Sequence, residues 1–154
     1  MTGLARILRS LIVAAVATVA VTSAYAAAPG DLAAPTPDAK DVLSGDWGGV
    51  YQCLQGQTAV VVSLALEKDG AVSGTFTFGN LPGRTNSAEG QYRIVGMFDP
   101  ATGKLRMQPN GWIRQPPGYV QVGFTADLDR AAPRLTGHVD FTGCSKISID
   151  RLSN

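Results

Sequence analysis

The sequence predicts one small all-β domain, an eight-stranded antiparallel up-and-down barrel, behind a cleavable export signal. Three observations carry this. The N-terminus has the three-part layout of a secretory signal. From Gly45 onward, apolar residues recur at every second position in short runs separated by turn residues. The only two cysteines, Cys53 and Cys144, fall at the end of the first run and the start of the last. A β-sandwich with the same disulfide is the alternative architecture.

The signal comes first. Arg6 and Arg9 precede an apolar run from Leu11 to Val21, and Ala24-Tyr25-Ala26 supplies the small residues of a cleavage site. The uncharged stretch from Ser10 to Gly30 dilutes into Thr, Ser, Pro and Gly, which suits a spanning helix poorly. Cleavage after Ala26 leaves 128 of the 154 residues, enough for one domain and one core. No membrane span is expected once the signal is removed. Residues 27–43 follow, rich in Ala and Pro, with Pro29, Pro35 and Pro37 breaking any helix or strand; a disordered leader is expected there. The single domain is expected over 44–154.

The strands follow in order. The first surrounds Trp47 to Leu54. Val60, Val62, Leu64 and Leu66 share one face of the second, and Lys68-Asp69-Gly70 turns the chain into a third with Val72, Gly74, Phe76 and Phe78 in phase. Tyr92, Ile94, Gly96 and Phe98 then pass through the turn 99–103 to Leu105 and Met107. Val120, Val122, Phe124, Ala126 and Leu128 pass through 129–133 to Leu135, Gly137, Val139 and Phe141. A corner at Thr142-Gly143 feeds the last strand, Cys144 to Arg151, with Ile147 and Ile149 in phase. The glycines between apolar positions, Gly74 and Gly137 among them, read as places where a small sheet coils tightly.

The cysteines select the barrel. They stand 91 positions apart and, in antiparallel neighbours, face each other, so their bond would staple first strand to last and remove the exposed edges. An oxidising compartment is implied, which places the chain in the periplasm or outside the cell. Losing Arg6 and Arg9 reduces 13 Lys+Arg to 11 against 12 Asp+Glu. A near-neutral surface with scattered charges offers no footprint for nucleic acid or an anionic membrane.

The segment Gly45-Asp46-Trp47 is similar to the G-x-W that opens the first strand of calycins, the superfamily of lipocalins and avidins. Arg151 on the final strand resembles the basic residue that packs across that tryptophan. The resemblance implies a ligand-binding barrel. The chain departs from lipocalins in its length and in lacking a helix before the last strand, and from avidins in lacking the further tryptophans that wall the biotin site, so no specific ligand carries over. Size, compartment and Tyr51-Gln52-Cys53 also agree with small periplasmic inhibitors of secreted hydrolases, without a matching inhibitory loop.

Two long connections attract attention. Pro109 to Tyr119 is expected to be a proline-stiffened loop carrying Trp112, Ile113, Arg114 and Tyr119, either plugging the barrel end or forming a recognition surface for a small apolar ligand or a partner protein. Gly79 to Gly90, with Arg84, is expected at the same barrel end. His138, the only histidine, is expected to point outward beside Asp140 without a third metal ligand. The carboxylates sit mostly at turns, and no nucleophile elbow, H-E-x-x-H or free Cys-His pair is present. A non-catalytic binding protein with no cofactor or metal is the expectation; a hydrolase or isomerase with convergent acid and base, or a structural envelope domain, are the alternatives.

Overall fold

The computed structural model describes Asp38 and residues 42–153. The expected export signal and nearly all of the expected leader lie outside the described residues. Eight strands form one closed barrel in which each pairs antiparallel with its chain neighbours: β1 (Gly45–Cys53), β2 (Gly56–Leu66), β3 (Ala71–Gly79), β4 (Gly90–Asp99), β5 (Lys104–Arg114), β6 (Gly123–Asp129), β7 (Arg134–Asp140) and β8 (Lys146–Arg151). β1 closes on β8 in the register Trp47↔Arg151 to Tyr51↔Ile147.

The period-two faces are the core. Trp47, Val62, Phe76, Tyr92, Ile94, Leu105, Met107, Phe124, Leu135, Ile147 and Ile149 are all buried inside the barrel. The outward positions between them carry Arg93, Lys104, Arg106, Asp127, Arg134 and Asp150, all exposed.

The turn at Lys68–Gly70 forms as expected, with Asp69 at φ 61° and Gly70 at φ 81°, the left-handed backbone that Asp and Gly tolerate. Gly74 and Gly137 mark the tight coiling. A β-carbon at Gly74 would run into the Ser63 carbonyl, and one at Gly137 into that of Thr125.

The barrel has two different ends. The turns 67–70, 100–103 and 130–133 lie at one, which is plugged. There Leu43, one residue ahead of the expected domain start, is fully buried, so the core begins within what composition alone marks as leader. Trp47 Nε1 donates to Leu43 O at 2.9 Å. Arg151 donates to Val42 O at 2.8 Å and Ser44 O at 2.6 Å, with its guanidinium 5.9 Å from the Trp47 ring centroid. One cation thus seals the end by satisfying carbonyls and covering an indole face.

The connections 54–55, 80–89, 115–122 and 141–145 lie at the other end. The disulfide Cys53–Cys144 staples it, and Ser145 N donates to Gln52 O at 2.8 Å beside it. Such a bond fits an oxidising, extracellular environment.

Residues 109–114 are strand, not loop: β5 runs on to Arg114, and the connection is only 115–122. β5 keeps its pairing with β4, Ile94↔Pro109 and Tyr92↔Trp112, by absorbing two register shifts, with Gly111 at φ 92° in the irregular stretch. Its ladder with β6 ends at Met107↔Phe124, so Pro109 stands where β5 has become an edge and a missing N–H is tolerated. Likewise β6 starts at Gly123 rather than Val120, and β8 at Lys146 rather than Cys144.

Candidate functional site

The filled core stops short of the disulfide-stapled end. A cavity of about 190 Å³ opens there, lined by the inward residues nearest the mouth, Tyr51 and Cys53 on β1, Phe78 on β3 and Tyr92 on β4. Gly118, Tyr119, Val120 and Val122 close it from the 115–122 connection. Phe141 to Cys144 close it from the β7–β8 corner, and Leu54 and Gln55 from the β1–β2 turn.

Local sequence explains how these side chains are held. Pro116-Pro117-Gly118-Tyr119 makes a tight turn, with Tyr119 N donating to Pro116 O at 3.3 Å and Gly118 at φ 77°. That turn lays the Tyr119 ring on Phe78, stacked at 5.4 Å and 20°. Ala88 N donates to the Tyr119 hydroxyl at 2.9 Å, which ties the 80–89 connection to this wall. Asn86 Nδ2 donates to Gln55 O at 2.8 Å, and Ser87 N to Asn80 Oδ1 at 2.8 Å, so the longest connection is pinned at several points. Tyr92 stacks on Phe76 at 4.9 Å and donates to Val122 O at 2.9 Å, fixing the floor.

The electrostatics are those of a neutral site. None of the lining residues carries a carboxylate, imidazole, ammonium or guanidinium group. Burial pushes the Tyr51 phenol up to about 12, outweighing the opposing hydrogen bond with Thr58, while Tyr119 adds a smaller upward push. Burial likewise raises Tyr92 far above its usual range, against the Val122 backbone bond. Both phenols stay protonated at physiological pH. The cavity can therefore hold an apolar group and offer neutral hydrogen bonds, but its lining supplies no acid–base pair poised near pH 7.

The structure brings only part of the expected site together. Tyr119 lines the cavity. Trp112 is half-buried and packs edge-on to Tyr92 at 5.3 Å and to Phe78 at 6.3 Å, outside the cavity lining. Ile113 and Arg114 face outward from β5, with Arg114 3.5 Å from Glu89 in an exposed ion pair. Arg84 is exposed on the 80–89 connection. His138 points outward as expected, its Nε2 2.9 Å from Asp140 Oδ1, and Thr125 Oγ1 donates to Asp140 Oδ2 at 3.1 Å. Among the described residues no group of three potential metal ligands exists.

Sequence reasoning missed Tyr51, Phe78, Tyr92, Val122 and Phe141 as one cluster. The signal was present: these residues sit in the inward phase, or just beyond it, at the strand ends nearest the two cysteines. Comparison of the chain with family models, curated proteins and solved structures found no match.

Proposed function

We propose that this protein is an exported, non-catalytic binding protein of calycin type, secreted or periplasmic, whose barrel mouth holds a small apolar ligand. One observation carries the reading: an otherwise filled barrel leaves an apolar, uncharged cavity at the end where the disulfide and the long connections gather. The G-x-W segment and the Arg151 cap support the calycin likeness, since both meet at the plugged end in the geometry that likeness implies. Phe78 and Tyr92, which line the cavity, are braced by Trp112; Arg114 and Arg84 stand on the surrounding surface.

A second reading has its own observation. Leu54, Val120 and Phe141 stand around the mouth at 87%, 57% and 47% exposure. An apolar rim is what a protein partner would cover, as in an inhibitor of a secreted hydrolase.

Native mass spectrometry of the protein recovered from its own source tests both. A bound small molecule lost in the Val120→Trp variant supports a ligand carrier. A co-purifying protein released by Leu54→Glu, with no small molecule bound, overturns it in favour of the partner reading. The same spectrum reads the N-terminus, and an uncleaved chain contradicts export through signal removal.

A further inference from the structure

We infer that the ligand of the mouth is a neutral, single-ring aromatic molecule bearing one hydrogen-bonding substituent, as in a simple phenol. This rests on the reading of the mouth as an apolar binding site and specifies its occupant.

Size sets the first limit. The cavity, about 190 Å³, exceeds the about 150 Å³ that holds one benzene and falls below the roughly 300–1,000 Å³ of sites for drug-sized ligands. One ring fits; fused rings or a long acyl chain would have to displace the walls or project into solvent.

Charge sets the second. The lining holds no ionic partner, and the plugged barrel beneath it admits no charge from below. A carboxylate or ammonium entering this space would shed hydration without compensation. The occupant is therefore neutral.

The walls set the third. Tyr51, Phe78, Tyr92, Tyr119 and Phe141 make the lining predominantly aromatic, with Phe78 and Tyr119 already stacked on each other at 5.4 Å. Aromatic pairs gain from offset-stacked and edge-on contact beyond the area they bury, and a flat ring uses such a lining better than an aliphatic group of equal volume.

Polar groups set the substituent. Gln55 lines the cavity, and its Nε2 makes only a long 3.4 Å contact to Thr58 Oγ1, the hydroxyl that Tyr51 also meets. Thr142 adds an aliphatic hydroxyl to the lining, beside the phenols of Tyr51, Tyr92 and Tyr119. An amide can donate or accept, so it suits one hydroxyl or carbonyl on the ring.

The test is an amide chemical-shift titration of the oxidised protein with 4-methylphenol, toluene, benzoate, 2-naphthol and decanol. Expected are saturable shifts at Tyr119, Val122 and Cys144 with 4-methylphenol, and binding of benzoate weaker by about tenfold or more. Gln55→Ala, at a half-buried turn position, is expected to erase most of the preference for 4-methylphenol over toluene. Tighter binding of 2-naphthol or decanol, equal binding of benzoate, or an unchanged preference in Gln55→Ala would overturn this inference and leave the mouth as an apolar site. Shifts at the mouth with none of the five probes would overturn both.

Discussion

Removing the disulfide is the perturbation with the largest magnitude that can be worked from the structure. In the native barrel, Cys53 and Cys144 are held close by more than their bond. β1 and β8 are paired from Trp47↔Arg151 to Tyr51↔Ile147, and Ser145 N donates to Gln52 O at 2.8 Å next to the sulfurs. Replacing both cysteines by serine should therefore leave the fold in place and act chiefly on the unfolded chain. A link spanning 91 positions restricts that chain by about 4–5 kcal/mol on loop entropy. With a urea m-value of about 1.5 kcal/mol/M, the midpoint should fall by about 3 M. Urea unfolding followed by tryptophan fluorescence, on the oxidised protein, the reduced protein and the Cys53→Ser/Cys144→Ser double variant, measures this. Coincident curves for the three would refute the reasoning, because the staple would then not be what limits the unfolded ensemble.

Three further outcomes follow from the packing. Gly74→Ala and Gly137→Ala each drive a methyl group into a neighbouring strand's carbonyl, so each should lose about 2–3 kcal/mol in the same unfolding assay, whereas Gly83→Ala, with open space around it, should lose less than either. Arg151→Ala strips Val42 O and Ser44 O of their donors and uncovers Trp47; a loss of about 1–2 kcal/mol is expected, incompletely restored by Lys because one ammonium cannot match the planar fork. At alkaline pH, Tyr51 has a folded value of about 12, above its unfolded value of about 10, so its contribution is whole below pH 10 and is lost as pH rises to 12. Two pH units correspond to about 3 kcal/mol for Tyr51, with Tyr92, also raised by burial, losing stability over the same window; unfolding free energy against pH reads the sum, and Tyr51→Phe should remove the Tyr51 share.

Most of the barrel was legible because its cause is local. Period-two alternation decides which face of each strand is apolar, and turn residues such as Asp69-Gly70 and Asp99 to Gly103 decide where the chain reverses. The spacing of the cysteines then converts eight strands into a closed sheet. The irregular half of β5 was not legible, because prolines at 109, 116 and 117 look alike in sequence. Only Pro116 and Pro117 end the strand, while Pro109 is tolerated by a ladder with β6 that stops at Met107. The role of Leu43 was hidden for a related reason: an isolated leucine in an Ala/Pro-rich stretch has no period to mark it as core. The cavity was half legible. Tyr119 stood out on its proline-stiffened segment, but Tyr51, Phe78 and Tyr92 are indistinguishable in pattern from residues that fill the barrel completely. Whether inward aromatics leave a space depends on the depth of each along the barrel axis, and that is set by the strand stagger rather than by any single run of sequence.

Xenon locates an apolar space such as the one at the stapled mouth directly. Crystals of the oxidised protein pressurised with the gas should show xenon among Tyr51, Phe78, Tyr119 and Val122. A mouth without xenon, in crystals where it binds elsewhere or nowhere, would contradict the account.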